Sequence, residues 1–138
     1  MADKKAKSFV TIMIIIAICV LLLRIVIERL IKINIAQNES HASVTLKQIS
    51  AALENYAKDH ASAYPPNLSI LTKTKPPYLG KDYINSSPLR GYNYSCPRLE
   101  PSGYSCYASP AQCKFSGNMI YTITTGSLLV SEECERKE

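Results

Sequence analysis

The sequence predicts an α+β fold, in which a long amino-terminal helix packs on a small antiparallel β-sheet. Three observations lead to this prediction: an apolar run near the amino terminus, an amphipathic pattern after it, and several strand-like segments after that. A chain of 138 residues has room for one small domain. The predicted parts are a basic leader (1–8), the transmembrane part of the helix (9–31), its extramembrane part (32–63) and a disulfide-stapled globular head (64–138).

The apolar run extends from Phe9 to Leu23, where Thr11 is the one polar residue among fifteen. Apolar residues resume after Arg24, so a helix ending at Ile27 would have nineteen residues. Its length would be about 28 Å, close to the hydrocarbon core of a bilayer at about 30 Å. We therefore expect a membrane span and not a buried core helix, because a domain this small could not surround a helix that is apolar on every face.

Positive charge is concentrated around this span. The formal net charge is +5, of which residues 1–32 carry +4 and residues 33–138 carry +1. Lysines before a span favour a cytoplasmic amino terminus, so we expect the head on the other side of the membrane. The beginning of the chain resembles a secretory signal peptide, but no small-x-small cleavage site follows Leu23. Because the head has no basic excess, nucleic acid is not an expected partner.

The helix is predicted to continue beyond the membrane to Ala63, since no proline or glycine occurs after Phe9 up to that point. Unbroken, it would be about 80 Å long, although the polar neck (residues 34–43) leaves a local break open. Apolar residues then recur at spacings of three and four, with Glu54 off the apolar face. The two prolines after Tyr64 are expected to end the helix. The predicted packing face consists of Leu46, Ile49, Leu53 and Tyr56.

The head is predicted to contain one short helix, capped by Asn67, and then an antiparallel sheet. Alternation of residue type places Tyr92 and Tyr94 on the half-buried face of the first strand. By the same pattern, the alternating sets Ile120, Thr122 and Thr124 in the third strand and Leu128 and Val130 in the fourth fit half-buried strands. Residues 132–138 are mostly charged, and we expect them to be frayed. The predicted helix spans 68–73, and the predicted strands span 91–96, 103–109, 119–124 and 127–131.

Four cysteines lie in the head, which suits an exported domain stapled by disulfides. Neighbouring strands favour a Cys96–Cys106 bond, and Cys113–Cys134 would tie the carboxyl terminus to the sheet. The other two pairings remain open. The cysteine spacings do not fit common zinc modules, so no metal is expected. Cys19 lies within the span and is interpreted as a packing residue.

No motif for catalysis or for binding a cofactor occurs in the sequence. His41 and His60 are nineteen residues apart on the predicted helix, and neither forms an acid–base pair with a neighbouring carboxylate. We therefore expect no enzymatic activity and no cofactor. The nine tyrosines fit either cross-strand pairing or a binding surface.

The lysine-rich leader, a small residue followed by Phe, the apolar segment and the long amphipathic helix together resemble type IV pilins and type II secretion pseudopilins. The stretch 45–71 (TLKQISAALENYAKDHASAYPPNLSIL) is similar to the helix end and "YP" junction of that family. The segments GYSCYASP and SGNMIYTITTG are similar to its carboxyl-terminal sheet. The resemblance covers essentially the whole chain.

The resemblance implies processing and assembly. A prepilin peptidase would cut between Ser8 and Phe9 and methylate the new amino group, and the subunit would pack with other pilin-like subunits into a fibre. Ser8 stands where the family usually has Gly, and Met13 stands where it usually has Glu. These departures leave open a minor or tip subunit, an unprocessed membrane-anchored relative and a degenerate homologue. Some pseudopilins bind calcium, for which Asp82 and Glu100 are the candidate acids here.

The predicted function is therefore that of a structural subunit in the bacterial inner membrane, serving a type II secretion system or a type IV pilus. The alternative is a monomeric, membrane-tethered module whose sheet binds a peptide or glycan. A third hypothesis, a competence-type DNA-binding pilin, would require salt-sensitive DNA affinity of the head.

Overall fold

The computed structural model describes residues 2–135. Its sheet has four antiparallel strands in the order of the sequence, so the predicted α+β fold class is confirmed. The chain divides between Asn34 and Ile35 into two compact units, which are described separately below. The elements are α1 (Ala2–Asp59), α2 (Ser69–Lys73), β1 (Tyr92–Glu100), β2 (Gly103–Pro110), β3 (Met119–Thr124) and β4 (Leu128–Glu133).

Helix α1 is continuous through the neck, and it ends four residues before the predicted boundary at Ala63. Ala61 and Ser62 adopt left-handed φ values of 54° and 64°. The Ser62 N–H donates a hydrogen bond of 2.8 Å to the carbonyl oxygen of Ala57. This closure is typical of a Schellman-type helix end. The left-handed turn therefore ends α1 before the prolines that follow Tyr64 are reached.

Helix α2 begins close to the predicted position. The Asn67 side-chain oxygen accepts a hydrogen bond of 3.0 Å from the Ser69 N–H. Leu68 is the N-cap residue and makes no capping hydrogen bond with its side chain, so the side chain that assists the helix start lies one residue before the cap. Leu68 and Leu71 are both buried in the core.

The strands extend further than the sequence pattern predicts. β1 continues to Glu100, which pairs with Gly103 across the turn to β2. β4 includes Glu132 and Glu133, which pair with Ile120 and Met119 in β3. The prediction of fraying is therefore wrong for these two residues, because ladder pairing with β3 holds them. Residues 136–138 lie outside the described part of the chain.

The inner faces of β3 and β4 are defined by their pairing in the sheet. Ile123 is fully buried, and its cross-strand partner Leu129 packs against the core. Leu128 and Val130 are instead 62% and 55% exposed. The cross-strand partner of Ile123 in β2 is the buried Cys106. Since paired residues share a face of the sheet, this register points Ile123 and Leu129 inward.

The core of the second unit lies between the carboxyl-terminal part of α1 and the inner face of the sheet. Helix α2 and the loop after it also contribute leucines. Aromatic rings from β1 and β2 fill much of the space, so most of the tyrosines that could have formed a binding surface serve packing. The buried members are Ala42, Leu46, Ile49, Ala52, Leu53, Leu68, Leu71, Leu79, Tyr92, Tyr94, Tyr104, Cys106, Ala108 and Ile123.

Candidate functional site

The apolar segment, which we define as residues 9–31 of α1, exposes large side chains on every face. Phe9 is 65% exposed, Leu23 61% and Ile31 37%. In the described residues this is the one helix long and apolar enough to cross a membrane, and none of its most apolar stretch is buried. Apolar surface left in water is unfavourable by about 25 cal/mol per Å². The segment therefore needs lipid or other helices around it, and it can serve as a single-pass membrane anchor.

Arg24 and Glu28 lie near the carboxyl-terminal end of the apolar segment and form an ion pair. The Arg24 Nε atom lies 3.4 Å from Glu28 Oε1, one helical turn further on. Both side chains are largely exposed, so the pair adds little to helix stability in water. In an apolar environment the pairing offsets one charge with the other, which lowers the cost of placing either there.

The candidate processing residues, Ser8 and Phe9, both lie within α1 and are exposed. The Thr11 hydroxyl donates a hydrogen bond of 2.8 Å to the carbonyl oxygen of Lys7. The peptide bond between Ser8 and Phe9 is thus part of a regular helix. Met13 is 54% exposed and lies about one turn after Phe9.

The predicted packing face of α1 lies against the sheet. Leu46, Ile49 and Leu53 are completely buried, and Tyr56 packs against the edge of the core. The Tyr56 ring stacks on the imidazole of His60 with 3.8 Å between ring centroids. This face packs the sheet of the head against α1. The apolar segment takes no part in that packing and stays exposed.

Glu54 joins α1 to the sheet by three hydrogen bonds, although the sequence pattern places it off the packing face. Its Oε1 atom accepts bonds of 2.9 Å from the Tyr104 hydroxyl and from the Gly126 N–H. Its Oε2 atom accepts a bond of 3.1 Å from the Tyr64 hydroxyl. Burial, reinforced by Glu54, raises the pKa of Tyr64 above its usual value.

Two serines extend this Glu54 network. Ser50 Oγ lies 2.8 Å from the Tyr104 hydroxyl and 2.6 Å from Ser127 Oγ. Because Tyr104 donates to Glu54, Ser50 donates to Tyr104 and Ser127 to Ser50. Burial raises the pKa of Tyr104. One feature of the sequence points to this network. Ser50 and Glu54 are four residues apart, so they lie on the same side of the helix.

The neck residues bind the loop before β3. The Asn38 amide donates a hydrogen bond of 2.9 Å to the Ser116 carbonyl oxygen. The Asn118 N–H donates a bond of 2.7 Å to the Glu39 carboxylate. Between them, Gly117 lies so close to the Tyr92 ring that a Cβ there would clash with the Tyr92 hydroxyl oxygen. These contacts account for the unbroken helix at the neck, and sequence reasoning missed them.

Two disulfides close the head: Cys96–Cys106 links β1 to β2, and Cys113–Cys134 holds the residue after β4. They are the two pairs that the strand order favours. The Cys134 N–H also donates a hydrogen bond of 2.7 Å to the Asn118 carbonyl oxygen. Next to the second disulfide, Lys114 pairs with Glu133 and lowers the pKa of that carboxyl. Cys19 is free and exposed in the apolar segment.

The candidate calcium ligands have separate local roles. The Asp82 carboxylate accepts hydrogen bonds of 3.1 Å from the N–H groups of Ile84 and Asn85. The Glu100 carboxylate pairs with Arg98 at 3.5 Å. Within residues 2–135, no group of three or more metal-ligating side chains is close enough to hold a metal ion.

Comparisons of the chain with protein-family models, with curated proteins and with solved structures find no match. Function is therefore inferred from the exposed apolar segment, the buried helix face and the closed head. These three features occur in sequence along one chain, with a single helix providing the first two.

Proposed function

We propose that the chain is a pilin-like structural subunit, a pseudopilin or minor pilin, of a bacterial type II secretion or type IV pilus machine. It acts by assembling with other subunits through its amino-terminal helix and catalyses no reaction. The observation that carries the proposal is the division of α1 into two surfaces. Residues 9–31 are apolar and exposed on all faces, whereas the packing face at Leu46, Ile49 and Leu53 is buried under the chain's own sheet.

The apolar segment suits two successive environments. As an anchor it is surrounded by lipid, and in an assembly it is surrounded by the same segment of other subunits. Both environments are apolar, so the transfer between them depends on packing and on the pairing of polar groups, not on exposing apolar surface to water. Arg24 and Glu28, which form an ion pair, and Arg29 are the charged residues of this surface that an assembly would accommodate.

We place the chain in the bacterial inner membrane with its amino terminus in the cytoplasm and its head outside. The lysines at positions 4, 5 and 7 favour this orientation by the positive-inside rule. Two disulfides in the head fit an oxidising compartment, since such bonds are rare in the cytosol. The partners in this proposal are other pilin-like subunits and a prepilin peptidase.

The experiment that tests the proposal is identification of the mature amino terminus. The chain is purified from the membranes of its native cells, and its terminal residue is read by mass spectrometry. We expect a chain that begins at methylated Phe9. A Ser8→Ile variant, with a bulky residue before the cut, should retain the leader, whereas the control variant Ser40→Ile should be processed normally. A native chain that begins at Met1 or Ala2 would contradict the processing step.

Met13 favours a second candidate function, a monomeric membrane-tethered binding module. In the resembling family a carboxylate at this position neutralises the amino terminus of a neighbouring subunit, and a methionine cannot do so. An unprocessed amino terminus, together with a monomeric state in membranes, would support this second candidate.

A further inference from the structure

The segment from Leu89 to Tyr92 forms a tight two-residue turn before β1. The Leu89 N–H donates to the Tyr92 carbonyl at 2.8 Å, and the Tyr92 N–H donates back to Leu89 at 3.0 Å. The two central residues, Arg90 and Gly91, have φ values of +48° and +76°. Left-handed values at both positions are those of a type I′ turn, which favours Asn, Asp or Gly there. Gly91 fits this preference, whereas Arg90 adopts a conformation that is unfavourable for a residue with a long side chain.

This turn directs the Arg90 side chain to helix α1. The Nη1 atom of Arg90 lies 2.6 Å from Nε2 of His41. A guanidinium can only donate hydrogen bonds, so Arg90 is the donor and Nε2 of His41 the acceptor in this contact. The ion pairs among residues 2–135 are Arg24–Glu28, Arg98–Glu100 and Lys114–Glu133, none of which involves Arg90. Arg90 is thus a cation without a carboxylate partner in the described part of the chain.

Arg90 and His41 line a cleft of about 210 Å³ between α1 and the head loops. The Tyr83 hydroxyl donates a hydrogen bond of 3.1 Å to the side-chain oxygen of Gln48, which also lines the cleft. Because Gln48 accepts this bond through its carbonyl, its NH₂ group is a second donor at the same place. Val44 and Leu89 add apolar walls, and no carboxylate is among the lining residues.

We propose that this Arg90 cleft binds a small ligand through a single oxyanion group, a carboxylate or a phosphate. The planar guanidinium matches such groups in shape and charge, and the Gln48 amide adds a neutral donor. A long side chain at a turn position that usually holds Asn, Asp or Gly points to a functional constraint on that side chain. Here the constraint is the placement of the guanidinium. The proposal is independent of whether the chain assembles.

The test measures anion binding to the full chain in a non-ionic detergent at constant pH. Inorganic phosphate and acetate are titrated separately, and the imidazole resonances of the two histidines are followed by NMR, with His60→Gln assigning the His41 signal. We expect a saturable shift of the His41 signal and none of the His60 signal. Adding an anionic phospholipid to the micelles, with phosphate as competitor, distinguishes a lipid headgroup from a free small molecule as the source of the anion.

The key variant is Arg90→Asn, because Asn-Gly is a preferred type I′ sequence. Its thermal midpoint should equal or exceed that of the native chain, while its affinity for the better-binding probe should fall at least about tenfold. The control Arg98→Asn removes the same charge from β1 and should bind as the native chain does. Absence of a saturable shift with both probes would overturn the proposal. Equal binding by Arg90→Asn, or an equal loss in Arg98→Asn, would also overturn it.

Discussion

At the residue scale, Glu54 is the clearest case of a side chain whose role depends on partners far away in the sequence. It accepts bonds from Tyr104 and Gly126, which are 50 and 72 residues away. The helical pattern identified Leu53 as a core residue because that inference needs only local spacing. It could not identify the role of Glu54, because its donors are brought together by the sheet.

We predict that Glu54→Gln lowers the free energy of unfolding by about 1–3 kcal/mol. The amide keeps one acceptor oxygen but turns an NH₂ group towards hydroxyl or N–H donors of the network. Denaturant unfolding of the full chain in non-ionic detergent, followed by near-ultraviolet circular dichroism, measures the effect. The control Glu132→Gln, on the exposed surface of β4, should change stability little. Equal stability of the two variants would contradict the role assigned to Glu54.

A substitution at Ser62 is expected to raise the free energy of unfolding, whereas Glu54→Gln lowers it. Its φ of 64° lies in the left-handed region, which glycine occupies without the steric cost of a Cβ. We expect Ser62→Gly to raise the free energy of unfolding by about 0.5–1 kcal/mol. Ser40→Gly, inside α1, should instead lower it by about 0.5 kcal/mol. The same unfolding assay applies, and a stability loss in Ser62→Gly would show that this helix end is not closed as described.

At the element scale, the packing face of α1 was predictable and the faces of β3 and β4 were not. The buried positions of a helix recur over several turns, so Leu46, Ile49 and Leu53 all indicate the same buried face. In β3 and β4, apolar residues occur on both faces, so alternation alone does not identify the buried set. The pairing of Ile123 with Cys106 determines which face of β3 is buried, and this pairing is a tertiary contact that the local sequence does not contain.

The observed faces predict a contrast between two leucines. Leu53→Ala should destabilise the head by about 2–5 kcal/mol, because it leaves a cavity under the sheet. Leu128→Ala should have a much smaller effect, since Leu128 is 62% exposed on the outer face of β4. Urea unfolding of both variants gives the comparison. A large loss at Leu128 would contradict this assignment of the strand faces.

The buried tyrosines predict sensitivity to alkali. Burial is the main cause that raises the pKa of Tyr92, Tyr94 and Tyr104 in the folded head. An unfolded tyrosine titrates near pH 10, so below that pH both states are protonated and the stabilisation is fully present. Above it the unfolded state loses protons first, and stability falls as the pH rises towards the folded-state pKa values.

Unfolding free energies measured from about pH 8 to pH 11 should therefore decline only above about pH 10. Tyrosinate absorbance should rise together with the loss of tertiary structure. Tyr94→Phe removes one of the raised groups and should reduce the slope of the decline. Stability that stays constant across this range would contradict the burial of these hydroxyls.

At the scale of the whole molecule, the two units of the chain have different relations to solvent. Residues up to Asn34 form a helix whose apolar side chains are exposed, and residues from Ile35 form a unit with its own core and two disulfides. Composition and hydropathy predicted the long apolar amino-terminal helix from the sequence, because a continuous apolar run is a local signal. The cleft at Arg90 was not predictable, since it depends on a strained turn meeting His41.

The central claim is that the apolar segment serves as both anchor and assembly surface. The most direct test places a photo-crosslinking amino acid at Ile16, within the segment, and irradiates intact membranes that contain the full chain. We predict a discrete adduct with a second copy or another pilin-like subunit, and none from the control position Lys47 on the exposed side of α1. Adducts from Ile16 with lipid alone would contradict the claim and indicate a solitary membrane anchor.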